Sequence, residues 1–370
     1  LPEDRDRKTV LDPWGTTVIE DYDRLCEEFG IQRFEPLLGR VPSPSMLMRR
    51  GVIFGHRDLE RVLRAMERGE PFAVMSGIKS TGEFHLGTLM TAREIIYFQR
   101  QGAEAFYAIA DVEAYEDNGI PLERSERYAV GNVADILALG FDPGRGYIYR
   151  QSRELRVKDL ALLLGRGVTL ATMKAIYGER HMGLYLSSLI QAGDILLPQL
   201  EEFGGPRPTV VPVGVDQDPH LRLCRDLAHK FRRKHGFVRP SSTYHRQMRG
   251  LDGSPKMSKR NPMSYFTFQE SLKEIARKIS EAFTGGRPTV REQRELGGVP
   301  EICPVYEMCV YHFTEDDGEV RGVYHDCKTG KLLCGEHKER VIEAVLGFVR
   351  EHRRRRRGLI DKAREILQVT

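Results

Sequence analysis

The chain has 370 residues, 40 % hydrophobic and 30 % charged, enough to bury a sizeable core in two or three domains and unlike a disordered or fibrous chain. Its formal charge of +4 conceals 43 arginines against 14 lysines, a skew that suits bidentate contacts to an anionic partner or the ion-pair networks of a heat-adapted protein. No apolar run reaches the ~18 residues of a membrane span, the first residues lack an export-signal pattern, and six cysteines do not make a disulfide scaffold, so a cytoplasmic protein without membrane association is expected.

Residues 1–70 read as an appended segment broken by Pro36, Pro42 and Pro44. One helix is expected there, at about 57–68, with Leu59, Val62, Leu63 and Met66 on one face. From Pro71 the pattern changes. Residues 72–77 read as a buried strand, 88–101 as a helix and 105–110 as a second strand, a βαβ unit and so part of a parallel sheet. The stretch 122–200 reads mostly as helices. Strand character returns at 209–215, where Pro212 suggests an edge or bulged position, and a helix is expected at 219–234. Beyond Asn261-Pro262, residues 271–283, 338–357 and 362–367 are amphipathic, with glycine pairs at 285–286 and 297–298 as joints between them.

Two loops carry the chemistry. The first, residues 76–88, leaves the carboxyl end of a strand and enters a helix, where open α/β sheets bind ligands. A helix N-terminus offers unpaired N–H groups and partial positive charge, which suits polyphosphate, and Gly77, Gly82 and Gly87 would let the backbone come close. The same letters also fit a plain βα turn capped by Thr88. The second loop, marked as surface by Gly253 and Pro255, holds Lys256-Met257-Ser258-Lys259-Arg260. Three cations and a hydroxyl suit a mobile clamp over a transferring phosphoryl group, or a solvated basic loop.

Read together, the loops are more specific. His85-Leu86-Gly87-Thr88 resembles the HIGH signature, and Lys256-Met257-Ser258-Lys259-Arg260 the KMSKS signature, of class I aminoacyl-tRNA synthetases, with Thr88 in place of the last histidine. A third segment, Gly214-Val215-Asp216-Gln217-Asp218-Pro219-His220, ends a strand and opens a helix, with Asp218 as N-cap and Pro219 at the first helical position. With residues 221–228 it resembles tryptophanyl-tRNA synthetases of the archaeal and eukaryotic type. The similarity extends to Asp12-Pro13-Trp14, to 49–58, and past the clamp to 282–287 and 294–298.

This resemblance implies an α/β fold with a Rossmann-type parallel-sheet catalytic domain over 71–260, a helical insertion at about 116–183, and an all-α anticodon-binding domain over 261–370. It implies ATP-dependent activation of L-tryptophan, with Mg2+ entering as the ATP complex, and transfer to tRNA(Trp), with no tightly bound cofactor. His85 and Thr88 would hold phosphate from below, and Lys256, Ser258 and Lys259 from above. Gly77, Gly87, Gly214, Asp216 and Met257 would hold ATP, Asp216 accepting from the ribose hydroxyls. Glu113, Gln191 and Gln217 match the residues that hold the substrate's ammonium.

Met75 stands where the archaeal and eukaryotic enzymes carry a tyrosine, and can pack on the indole ring. Asp194 stands where tyrosyl-tRNA synthetases place a partner for the phenol, and can also accept the indole N–H. Tyrosine is thus the minor alternative substrate. The family pairs as homodimers through helices near the insertion. Arg353, Arg354, Arg355, Arg356 and Arg357 are candidates for tRNA contact, or form a solvated basic helix end. Cys303, Cys309, Cys327 and Cys334 are spaced too widely for usual zinc motifs, so buried thiols or a disulfide are expected and no metal.

Overall fold

The computed structural model describes residues 11–14, 19, 21–258 and 261–369. Seven strands make one sheet: β1 (Gln32–Arg33), β2 (Ile53–Arg57), β3 (Ala73–Ile78), β4 (Glu104–Ile109), β5 (Gly146–Arg150), β6 (Thr209–Gly214) and β7 (Ser241–His245). Their order is β1-β2-β7-β6-β3-β4-β5. The run β7-β6-β3-β4-β5 is parallel, and β2 and β1 continue it antiparallel at one edge. Neighbouring residues of β3 and β4 serve opposite faces, as the two-residue period of a strand requires. Val74, Tyr107 and Ile109 join the core that includes Leu89, Ile95 and Val133. Met75, Phe106 and Ala108 join a second core with Leu160, Leu164 and Leu221. With both faces covered, the central strands read as continuous apolar runs.

Several expectations are corrected. The stretch 122–200 is mostly helix as expected, but it also holds β5, paired with β4, a strand too short to stand out between helices. The first seventy residues supply β1 and β2, and β2 pairs with β7, Ile53 opposite His245. The helix expected from residue 57 begins at Glu60, because Arg57 ends β2 and Asp58 turns the chain with φ 48°. Pro212 lies in an interior strand, yet costs no ladder bond to β3, because β6 pairs with β3 only at Thr209 and Val210. Beyond Val74 the two strands part, and the gap is where the site opens.

After residue 261 the described chain is helical. Cys334–Arg357 is the longest helix, and its Val341, Val345 and Val349 are buried at the four-residue spacing of an apolar stripe. The glycine pairs are close crossings rather than slack joints: a Cβ on Gly285 would sit 1.9 Å from the Val299 carbonyl oxygen, and the Val299 N–H donates to Gly285 at 2.8 Å. Among the described residues no single helix is long and apolar enough to cross a membrane.

Candidate functional site

Where β3 and β6 part, a cavity of about 210 Å³ opens at their carboxyl ends, lined by Met75, Glu113, Gln191, Asp194 and Gln217. The fold thus gathers in one place all five residues matched to an amino-acid substrate, from β3, from the helices Asp111–Asn118 and Met182–Leu196, and from the turn after β6. Gly77 and Gly214 line the same space. At Gly77 the strands leave no room for a side chain, since a Cβ would lie 2.6 Å from the Ala108 carbonyl oxygen.

One residue that the motifs did not reveal joins two of these groups. Gln151 is fully buried just beyond β5, and its Nε2 donates to Glu113 Oε1 at 2.8 Å and to Asp194 Oδ2 at 2.6 Å. Tyr149 donates its hydroxyl to Asp194 Oδ1 at 2.8 Å. Burial, then the nearby Glu113 charge, raises the Asp194 carboxyl well above the usual carboxylate range. Burial likewise raises Glu113, against the pull of Lys79. Two carboxyls in one dry niche call for a positive ligand or a proton.

The two glutamines line the same cavity. Gln191 Nε2 is 3.4 Å from Gln217 Oε1, and the buried Gln191 Oε1 has no hydrogen-bond partner among the described residues, leaving an acceptor open to a substrate donor. Gln217 Nε2 donates to the Pro13 carbonyl at 3.2 Å, which brings Asp12-Pro13-Trp14 against the site. Trp14 packs on Tyr177 and His220, and Asp12 pairs with Arg180 at 2.7 Å.

His85 caps the helix Leu86–Arg100, its Nδ1 accepting from the Gly87 N–H at 3.2 Å. The cap is therefore His85 and not Thr88, which lies in the first turn. A Cβ on Gly87 would crowd the imidazole at 3.1 Å, so the glycine lets the ring fold over the helix start. The cap is knitted to the chain beyond the clamp: His85 bridges Thr267, its ring meets Tyr265 at 5.5 Å, and the Phe268 N–H donates to Phe84 at 2.9 Å.

Lys256 lies 3.2 Å from Asp216 Oδ2, and Asp216 follows β6 in a 3-10 turn, Val215–Gln217. A Cβ on Gly214 would stand 2.6 Å from Asp216 Oδ1, so the glycine leaves room for that carboxylate. Met257 N–H donates to the Met248 carbonyl at 3.1 Å, and Ser258 N–H to Ser264 Oγ at 3.0 Å. Lys259 lies outside the described residues.

Other expected roles fall differently. Asp218 is not the cap of the next helix, which begins at Asp218 itself after Gln217. Its carboxylate is fully buried, held by Arg57 at 2.7 and 2.9 Å and by the Tyr244 hydroxyl at 2.5 Å. The arginine run wraps round its helix. Arg353 donates to the Phe268 and Glu270 carbonyls, and Arg356 reaches the buried Asp135, which also bonds His352. Arg354 and Arg355 pair with Glu351 on the surface, and Arg357 is exposed. The six cysteines are free thiols, and among the described residues no group of three or more His, Cys, Asp or Glu is arranged to hold a metal ion.

The family described as tRNA synthetases class I (W and Y) matches residues 66–350. A tryptophan–tRNA ligase of Aeropyrum pernix is 48 % identical over 363 residues, covering 96 % of each chain. One from Methanocaldococcus jannaschii is 39 % identical over 364 residues, covering 97 % of this chain and 98 % of its own. Among solved structures, the tryptophanyl-tRNA synthetase of Aeropyrum pernix superposes with a TM-score of 0.90 at 45 % identity, covering 96 % of this chain and 99 % of that one. That of Encephalitozoon cuniculi bound to tryptophan gives 0.80 at 25 %, covering 95 % and 98 %.

Proposed function

The chain belongs to the class I tRNA synthetases of the W and Y family, and on that premise we propose that it works as a tryptophan–tRNA ligase. The tryptophan carboxylate attacks the α-phosphorus of Mg·ATP, forming tryptophanyl-adenylate as diphosphate leaves. The terminal ribose of tRNA(Trp) then attacks the acyl carbon, forming the ester and releasing AMP. The first step needs no protein nucleophile, only positioning and charge stabilisation.

In this reading Glu113 pairs with the substrate ammonium, and Gln191 and Gln217 complete its shell. The open acceptor of Gln191 supports that assignment. Asp194 accepts the indole N–H, and Met75 packs on the ring. Asp216 accepts from the ribose hydroxyls, with Gly77, Gly87 and Gly214 giving the nucleotide room and Met257 beside it. His85 and Thr88 hold phosphate from the helix start, and Lys256, Ser258 and Lys259 from the clamp.

The helical region 261–370 reads the anticodon, and the outward Arg354, Arg355 and Arg357 are its candidates for phosphate contact. A homodimer is supported by Leu155, Leu162, Leu170, Met182 and Leu186, large apolar side chains exposed on the helices between β5 and β6, which mark a surface built to be covered. Charging tRNA for translation suits a cytoplasmic enzyme.

The observation that carries the proposal is the cavity that unites Glu113, Gln191, Asp194 and Gln217 one turn from Asp216 and Lys256. Amino-acid-dependent exchange of diphosphate into ATP tests it. Exchange with tryptophan and not tyrosine is expected; the reverse refutes the choice of substrate.

A further inference from the structure

We infer that Gln151, assisted by Tyr149, is a positioning residue for amino-acid selection, locking the carboxyl of Asp194 in the orientation that reads the indole N–H. This rests on the tryptophan reading above and deepens it.

A glutamine side chain has two N–H donors and a carbonyl acceptor, and here all are committed. The acceptor takes the Glu113 backbone N–H at 3.3 Å, which fixes which end of the amide faces the carboxyls. The donors go to Glu113 Oε1 and Asp194 Oδ2. Asp194 is thereby held at both oxygens, Oδ2 by Gln151 and Oδ1 by Tyr149, so its plane cannot turn and its remaining lone pairs keep fixed directions. A carboxyl free to rotate would follow a donor wherever the ring placed it. A locked one rewards only a donor at one place and is left short of a partner by a ring that lacks it.

The frame around Gln151 is rigid. Its own N–H donates to the Ile109 carbonyl at 3.1 Å, extending the β4–β5 ladder. On either side, Arg150 binds Asp111 at 3.0 Å and the Ser152 N–H binds the same carboxylate at 2.9 Å. Asp111 is fully buried and begins the helix that carries Glu113. The ammonium-holding and indole-reading carboxyls are thus set relative to each other through one amide. A neutral amide does this where a cation would neutralise the niche that the substrate ammonium needs.

The test is diphosphate exchange by the full chain with L-tryptophan and with β-(3-benzothienyl)-L-alanine, in which sulfur replaces the indole N–H. The wild-type chain should favour tryptophan in kcat/KM by about fivefold or more, as expected when a buried acceptor is left without its donor. Gln151→Met should raise KM for both substrates, because Glu113 loses its partner as well, and should shrink that preference at least several-fold. Tyr149→Phe, which removes one donor with little loss of packing, should shrink it in the same direction, and decides the matter if Gln151→Met does not fold. A merely structural role would slow both substrates by one factor, so an unchanged ratio in the folded variants overturns the inference. Absence of tryptophan exchange by the wild-type chain overturns the underlying tryptophan reading instead.

Discussion

The Lys256 ammonium lies 3.2 Å from Asp216 Oδ2 across 40 positions of sequence, joining the basic loop to the end of β6. The loop is tied on both sides, through Met257 to Met248 and through Ser258 to Ser264, so its cation is held beside the strand ends that line the cavity. A cation preset where charge develops acts mainly in the transition state. Lys256→Ala should therefore slow tryptophan-dependent exchange by about 10²–10³-fold, ~2.7–4 kcal/mol of barrier, with KM for tryptophan little changed. An unaltered maximal rate with only weaker ATP binding contradicts this.

The acid niche gives a pH dependence with a definite sign. Burial raises the Glu113 carboxyl, so between its ordinary and its raised value the free protein holds a proton that the substrate ammonium must displace. Tryptophan affinity should rise with pH through that window, and the slope should flatten in Glu113→Gln. Folding runs the other way. A carboxyl raised in the folded chain favours its protonated form, so stability is lost as pH rises through the folded value. Glu113→Gln should then melt higher than wild type at neutral pH while losing exchange activity. A KM independent of pH in that window contradicts the role given to Glu113.

Asp218 is a buried anion with a bidentate arginine and a tyrosine hydroxyl on it, and it ties β2, β7 and the helix Asp218–His235 together. Removing one partner of such a pair leaves an uncompensated charge. Asp218→Ala should lower the free energy of unfolding by ~3–5 kcal/mol, measured by urea titration, whereas the paired replacement Arg57→Met with Asp218→Leu should lose much less. Equal losses in the two variants would contradict the pairing.

The five arginines divide by direction. Arg353 and Arg356 are turned inward, and replacing either by alanine should cost roughly 1–3 kcal/mol of stability through unsatisfied buried partners. Replacing Arg354, Arg355 and Arg357 together should leave the melting temperature nearly unchanged. It should also flatten the salt dependence of tRNA affinity by about 2 in log–log slope. An unchanged slope removes these three from the RNA surface.

Local chemistry makes part of this legible in the sequence. The β3 run, the presence of a helix after the first loop and the turn at Asp216 follow from apolar runs and a proline near a helix start, although the cap is His85 and not Thr88. Those signals lie within a few residues of what they specify. Long-range pairing was hidden: β2 against β7 joins residues nearly two hundred apart, and nothing in either strand names its partner. Asp218 read as a cap because Asp before Pro is a cap signal, and burial beside Arg57 overrode it. Gln151 was missed because one glutamine after a five-residue strand carries no spacing pattern. Its meaning arises only when β5 lies beside β4 and the Asp111–Asn118 helix. The one available hint was the polar pair Gln151-Ser152 directly after Tyr147-Ile148-Tyr149-Arg150, at a carboxyl strand end where α/β sheets place their sites.

Charging purified tRNA(Trp) and tRNA(Tyr) with each amino acid in turn, by the full chain with ATP and Mg2+, decides whether this chain is a tryptophan–tRNA ligase. Tryptophanyl-tRNA(Trp) alone is expected, with AMP and diphosphate released in step with the ester. Formation of tyrosyl-tRNA(Tyr), or of an adenylate that no tRNA accepts, would contradict this reading.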